Sequence, residues 1–380
     1  MSWEYKTLDQ LGEVSRGRSK HRPRNDPSLF GGEFPFIQTA DVKAANFYIT
    51  QYDTTYNEKG LAQSKLWHPG TLCITIAANI ADTGILAIDA CFPDSVMGFI
   101  PYEGVSDVRF VKYCFDILQQ NCKKISQGAA QDNLSWEKLS TILFPAPPVD
   151  IQVKIADMLS AYDDLIENNQ KQIKLLEEAA QRLYKEWLVD LRFPGHETTP
   201  ITDGIPEGWN KIDVGSCIAK IARTKQVMTA EMMDTGKIPV IDQSRSFVAG
   251  YTDDAETIVD LGVPVIVFGD HTRVLKYIQF PFAKGADGTQ LIVSNNERMP
   301  QSLFYCSLVN VDLSNHHYAR HFKYLKAEEI LLPTVELASQ FDSIVASLFK
   351  QVQMLRDKCT LAAEARDRLL PKLMNGEIEV

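Results

Sequence analysis

Two stretches of the chain carry the same ladder of apolar positions. In the first, the ladder runs through Ile155, Leu159, Tyr162, Ile166, Asn169, Ile173, Leu176, Ala180, Leu183 and Trp187. In the second it runs through Phe341, Val345, Leu348, Val352, Leu355, Cys359, Ala362, Arg366, Leu369 and Leu373. Both are spaced 4,3,4,3 throughout, and only Asn169 and Arg366 break the apolar character. That alternation is the 3.5-residue period of a coiled-coil seam. Each stretch predicts a helix of about 39 residues, or about 58 Å at 1.5 Å per residue. The expected seam residues are Ile155, Leu159, Ile166, Ile173, Leu176 and Leu183 on one helix. On the other they are Val345, Leu348, Val352, Leu355, Leu369 and Leu373. The competing reading is two separate surface helices, each packed on its own domain. A ten-position ladder is longer than a globular helix needs.

The two ladders align at an offset of 186, which also aligns Pro147 with Pro333 and Arg182-Leu183 with Arg368-Leu369. Weaker matches precede them. Trp3 corresponds to Trp209, and Gly32-Glu-Phe-Pro35-Phe-Ile37 to Gly236-Lys-Ile-Pro239-Val-Ile241. Each half then carries a hairpin signal of β-branched runs around a polar turn. In the first half these are Thr71–Ile76 and Ile85–Ile88. In the second they are Val263–Phe268 and Val274–Ile278. A polar loop follows in each half, and then a proline-marked helix entry at Pro145 to Pro148 and at Pro333.

The fold expected is therefore α+β, a tandem duplication about a pseudo-two-fold axis. Two mixed α/β domains are joined by two long antiparallel helices that form a coiled coil. The boundaries are domain 1 at 1–149, helix 1 at 150–190, a linker at 191–208, domain 2 at 209–335 and helix 2 at 336–380. Domains at the two ends of such a rod suit two sites a fixed distance apart.

Composition adds little against this plan. The chain has 380 residues, with 45% hydrophobic and 23% charged, as in ordinary globular proteins. No apolar run reaches membrane-spanning length, and Met1-Ser-Trp-Glu-Tyr-Lys has no apolar core of a leader, so no membrane partner is expected. The seven cysteines are scattered with no C-x-x-C pair, which argues for a reduced, cytoplasmic protein without a structural zinc. No metal site is expected; His316-His317 and His271 read as polar-loop residues.

The net charge of −10 at first speaks against nucleic acid, because phosphate contacts need cations. Residues 1–149 carry 14 basic and 16 acidic side chains, so that segment is not basic as a whole. Within it, however, Arg16-Gly-Arg18-Ser-Lys20-His21-Arg22-Pro-Arg24 holds five Lys or Arg residues and no acid. Catalytic motifs are absent: there is no Walker loop, no G-x-G-x-x-G, no Asn-Pro-Pro-Tyr type tetrapeptide, no H-E-x-x-H and no G-x-S-x-G.

Several stretches resemble one family. They are Leu183-Tyr-Lys-Glu-Trp187-Leu-Val-Asp-Leu-Arg192-Phe-Pro-Gly195 and Pro206-Glu-Gly-Trp209. Phe268-Gly-Asp-His-Thr-Arg273 with Phe280-Pro-Phe-Ala-Lys-Gly-Ala-Asp-Gly288 is another, and Leu370-Pro-Lys-Leu-Met-Asn-Gly376 the last. With the duplication, they resemble the DNA-specificity subunit of a type I restriction–modification enzyme over essentially the whole chain.

The resemblance implies two target-recognition domains reading a bipartite, asymmetric double-stranded DNA target. It implies no catalysis in this chain. The partners implied are two methyltransferase subunits that methylate adenine N6, and restriction subunits that translocate and cut. No cofactor is expected on this chain; S-adenosylmethionine and ATP belong to those partners. Because the methyltransferase flips its adenine out, the reader must grip flanking bases and backbone.

On that reading Arg16, Arg18, Lys20, Arg22 and Arg24 become phosphate-contact candidates, with Lys220, Arg223 and Lys225 in the second half. Base-reading candidates come from hairpin turns and pre-helix loops: Asn79, Gln127, Gln131, Asn133, His271, Arg273, His317 and Arg320. Arg, Asn, Gln and His are side chains that can pair with base edges. The alternative from another class is a coiled-coil scaffold that binds protein rather than DNA.

Overall fold

The computed structural model describes residues 3–76, 82–125, 136–315 and 320–380. The chain is mixed α/β with two long helices and divides into two compact units. One comprises 1–169 with 358–380, the other 170–357. Both unit boundaries fall inside the long helices, not at the helix ends where the ladders begin and stop.

In the first unit, the strand Glu4–Lys6 pairs antiparallel with Phe144–Ala146, which leads into the first long helix. A five-stranded sheet follows the order Gly12–Arg16, Val96–Pro101, Leu72–Thr75, Thr83–Leu86, Tyr48–Ile49. The sequence-predicted hairpin is its Leu72–Thr75/Thr83–Leu86 pair, with Leu72 opposite Ile85. A four-stranded sheet is ordered Thr54–Tyr56, Phe30–Phe36, Ala90–Cys91, Leu66–Trp67. The two sheets meet where Gly98 faces Trp67. A Cβ on Gly98 would lie 2.4 Å from the indole ring, so only glycine permits that approach. Trp67 in turn stacks on Phe92 with centroids 4.7 Å apart.

Apolar side chains from both long helices complete this unit's core. Ile155 and Leu159 from the first, and Leu370 and Leu373 from the second, pack with Leu72, Phe99, Phe110 and Phe115. The helical segments run in opposite senses here, since Asp163 bonds Arg366 while Ile166 lies beside Cys359, three residues later against seven earlier. Asn169, the polar rung of the first ladder, is buried. Burial pushes the Cys359 thiol up, and a hydrogen bond with Asn169 works against that shift.

The second unit repeats the opening move. Asn210–Asp213, just after Trp209, pairs antiparallel with Glu329–Leu332, which leads into the second long helix. The predicted second hairpin is present as Val265–Gly269 with Leu275–Ile278, and Thr289–Ile292 adds a third strand on the other edge of Val265–Gly269. A second sheet is built around Phe282–Gly285. Gln226–Val227 and Ile238–Ile241 lie parallel to it, Ile258–Val259 pairs antiparallel with it, and Gly250–Thr252 pairs with Ile238–Ile241. The core takes Ala180 and Tyr184 from the first helix and Phe341, Val345 and Phe349 from the second, against Leu303 and Phe304. Here too the segments are opposed: Glu177 bonds Arg356, and Tyr184 meets Phe341.

The helices run Val149–Tyr184 and Val335–Met374. The first is shorter than its ladder, because Lys185–Val189 winds into a π-turn. That turn is closed by Arg192, whose guanidinium takes the Glu186 carboxylate at 2.5 and 2.6 Å. The wider turn brings Leu188 and Phe193 into the core, with Phe193 4.9 Å from Trp209. Pro371 lies inside the last turns of the second helix, as its sequence position indicates. None of the twelve seam candidates is exposed; Ile173, Leu176, Leu183, Leu348, Leu355 and Leu369 are half-buried and the others buried. Among the described residues, no helix is long and apolar enough to cross a membrane.

Candidate nucleic-acid interface

The cation run of the first unit begins at the end of the strand Gly12–Arg16. Beyond it the backbone stays tied to neighbouring segments: Gly17 N donates to Val96 O at 2.8 Å and Arg18 N to Phe92 O at 3.0 Å. Ser64 Oγ donates to Arg18 O at 2.7 Å. Gly17 and Ser19 are buried while Arg16, Arg18 and Lys20 are exposed. This alternation puts three cations on the solvent side of an extended stretch whose backbone is anchored. None of the three has an ion-pair partner among the described residues.

The rest of the run is differently placed. Arg24 Nη2 bonds Asp94 Oδ2 at 2.7 Å, and Arg22 Nη2 stands 4.0 Å from the same carboxylate. Arg22 also donates to the carbonyls of Ser19 and His21, at 2.7 and 2.8 Å. His21 Nε2 meets Asp26 Oδ2 at 2.8 Å, and hydrogen bonds from Ser28, then His21, hold that carboxyl below its usual range. A run without acids in sequence thus acquires Asp94 and Asp26 in space. Free positive charge is concentrated on Arg16, Arg18 and Lys20.

In the second unit Lys220 and Arg223 are exposed, with no ion pair among the described residues. Lys225 is held between Asp254 at 2.7 Å and Glu256 at 3.1 Å, and those two bonds raise its pKa. A phosphate approaching it competes with both carboxylates.

Of the base-reading candidates, Asn79, Gln127, Gln131, Asn133 and His317 lie outside the described residues. His271, Arg273 and Arg320 are described. The turn that carries His271 and Arg273 is built by Gln243, which the sequence reading had not singled out. Its Oε1 accepts from His271 N at 3.1 Å, its Nε2 donates to Asp287 O at 2.9 Å, and its carbonyl accepts from Thr272 Oγ1 at 2.6 Å. Asp270 N donates to Gly288 O at 2.7 Å, so two turns are stitched together. Gly288 has φ +75°, and a Cβ there would lie 2.8 Å from both the Gln243 amide and His271 Cδ2. The glycine is therefore needed for both its backbone and its lack of a side chain.

Asp270 ties in a third segment. Its carbonyl accepts from His321 N at 2.9 Å and from the His321 ring at 2.8 Å, while Oδ1 accepts from Phe322 N at 2.7 Å. This places Arg320 on the same cavity as His271. Arg273 sits apart from them in role: its φ is +61° and its Nη1 donates to Leu313 O at 3.0 Å, so the side chain braces a neighbouring loop.

An anchored stretch of free cations in one unit, and stitched polar turns carrying His and Arg in the other, are the makings of a nucleic-acid reader. Comparison with known proteins gives the class. Residues 1–178 match the family model for the type I restriction modification DNA specificity domain. The chain is 24% identical over 407 residues to the type I restriction enzyme MjaIX specificity subunit of Methanocaldococcus jannaschii, covering 100% of this chain and 94% of that one. It is 23% identical over 199 residues to the EcoR124I/EcoR124II specificity subunit of Escherichia coli, covering 47% of this chain and 48% of that one. Among solved structures, the S subunit of a type I restriction–modification system from M. genitalium matches with a TM-score of 0.58 at 15% identity. That match covers 98% of this chain and 96% of the other, and it shares the fold. The chain is thus similar to the DNA-specificity subunits of type I restriction–modification systems, by a family model in its first 178 residues and by a relative along its whole length. The protein-binding scaffold is the reading these likenesses disfavour.

Proposed function

We propose that this chain reads a split, asymmetric DNA target, one half-site for each globular half, and that it performs no catalysis itself. The carrying observation is the repeated build. In each unit the strand after a tryptophan pairs with the strand that enters a long helix: Glu4 opposite Ala146 in one, Asn210 opposite Leu332 in the other. Two such units with different loops suit two different half-sites. This supports an internal duplication joined by antiparallel, coiled-coil-like helices, with recognition domains at 1–149 and 209–335.

Phosphate contacts fall to Arg16, Arg18 and Lys20, and in the second half to Lys220 and Arg223. Arg22, Arg24 and Lys225 contribute only by exchanging their present carboxylates for phosphate. Those contacts fix register on the duplex, while base edges supply the sequence information. Two methyltransferase subunits that use S-adenosylmethionine, and ATP-driven restriction subunits, complete the enzyme. The acidic total charge is compatible with this division of labour, because partners around the duplex add their own cations.

The test is methyl transfer from S-adenosylmethionine to duplex DNA by the purified chain, by its methyltransferase partner, and by the two together. Transfer to a defined target only by the combination is expected. Methyl transfer by the chain alone overturns the non-catalytic role. Target-specific transfer by the partner without this chain overturns the reading role.

A further inference from the structure

Beside His271 the second unit holds a polar cavity of about 500 Å³, lined by Gln226, His271, Lys284, Thr289, Gln290 and Arg320 among others. Lys284 is its unexpected member. It lies on the strand Phe282–Gly285, where the other three residues are buried. Its backbone register sets it between Gln226 on one neighbouring strand and Ile241 on the other. A lysine half-buried at the centre of a sheet gives up hydration, and burial pushes its pKa below the ordinary value with no carboxylate offsetting the shift. No ion pair or hydrogen bond of its ammonium is found among the described residues.

A second group in the cavity also lacks a partner. Thr289 is 2% exposed, and its Oγ1 has no hydrogen-bond partner among the described residues. Buried polar groups are nearly always paired, so each exception calls for an account. This buried hydroxyl and the half-buried, unpaired ammonium of Lys284 on one cavity, framed by the amides of Gln226 and Gln290, point to a ligand with both acceptors and donors.

We propose that this cavity is a base-reading pocket of the second half, with Lys284 donating to an acceptor on the edge of a base pair in the major groove. The proposal rests on the reading of the chain as a DNA-specificity subunit. Lysine has donors only, which suits guanine O6 and N7; glutamine offers donor and acceptor together. A phosphate is the poorer fit. Asp270 and Asp287 also line the cavity, and their carboxylates repel an anion. Toward a base edge the exposed Asp287 carboxylate is useful, since it can accept from cytosine N4. The Gln243 bridge and Gly288 hold the wall that carries His271. The hairpin turn is thereby only one side of the reader, and the sheet behind it supplies the other.

The experiment is a methylation map of DNA modified by the assembled complex carrying Lys284→Gln, beside the unaltered complex. The expected result is that one base pair of one half-site loses its requirement by about 10- to 100-fold in relative methylation, the size of one lost base contact. The other half-site keeps its sequence. A uniform loss across all targets makes Lys284 a phosphate contact and overturns the proposal, and an unchanged map overturns it equally. If Lys284→Gln lowers the melting temperature enough to prevent assembly, Gln290→Ala, on the half-exposed rim, is mapped instead. It must relax the same half-site, and an unchanged map again overturns the pocket. A complex with unaltered chain that yields no two-part motif counts against the specificity-subunit reading rather than against the pocket.

Discussion

The guanidinium of Arg366 donates to the Asp163 carboxylate across 203 residues of sequence. The pair joins the two long helices inside the first unit, where the Asp163 side chain is only 2% exposed. Tyr113 Oη donates to the other carboxylate oxygen at 2.5 Å. Burial works against the charge of Arg366, but Asp163 and Asp367 outweigh it and hold the guanidinium above its ordinary pKa. Burial, and then Asp163, likewise push the Tyr113 hydroxyl up, so it remains a donor. The one charged rung of the second ladder is thus answered by an aspartate one residue beyond Tyr162 on the first.

Removing one partner of this pair should cost more than removing both. Arg366→Met leaves a buried carboxylate with Tyr113 alone and is expected to lose about 3–5 kcal/mol. The double variant Arg366→Met/Asp163→Leu should recover a large part of that loss. Urea unfolding of the three chains measures it, and a single-variant loss below about 1 kcal/mol would mean the pair behaves as a surface ion pair.

The contact between the sheets of the first unit gives a second stability test. Gly98→Ala drives a methyl group against the Trp67 ring, in a wall that includes Phe92. Overpacking of this kind costs about 1–3 kcal/mol. The thermal midpoint should fall accordingly, with the Trp67 fluorescence altered. An unchanged midpoint would show that the ring has room to move.

The free and the paired cations should separate in DNA binding by the assembled complex. Arg16→Ala, Arg18→Ala and Lys20→Ala together should weaken binding to all sequences alike. They should also flatten the log–log salt dependence by up to about 2.7, at about 0.9 per lost contact. Arg24→Ala and Lys225→Ala should change the slope by less, because each cation already has a carboxylate. A larger effect from the paired residues than from the free ones would contradict this placement of charge.

The ladders, the proline-marked helix entries and both hairpins were legible in the sequence because each is a local pattern: a 3.5-residue period, a residue type at a helix start, a β-branched run around a turn. The partners of Arg24 and Lys225 were not. Asp94 lies 70 residues from Arg24, and nothing in a one-dimensional charge run announces it. The π-turn at Lys185–Val189 was hidden for a related reason. Trp187 keeps the ladder's spacing, whereas the Arg192–Glu186 bond that closes the turn depends on the chain reversing. Lys284 was missed because its strand pairs parallel with Ile238–Ile241, and a parallel crossover leaves no local signature. The part of the site that rests on Asn79, Gln127, Gln131, Asn133 and His317 stands on sequence alone.

If the two helices set the distance between half-sites, their length is written in the target. Paired four-residue insertions, after Ile173 and after Cys359, add about one turn to each helix and keep the apolar ladders nearly in phase. The gain is about 6 Å, against 3.4 Å per base pair. Both half-site sequences should persist while the unread spacer widens by one or two base pairs. Two-residue insertions should break the phase and reduce activity. An unchanged spacer in an active four-residue variant would make the helices a docking element for partners instead.

The most direct test of the central claim is a methylation map of DNA from cells that express the methyltransferase partner with and without this chain. The account predicts a motif in two short defined parts, separated by a spacer of fixed length, with a methylated adenine in each part. That motif should vanish when the chain is withheld. A continuous, unsplit motif, or the same motif without the chain, would contradict it.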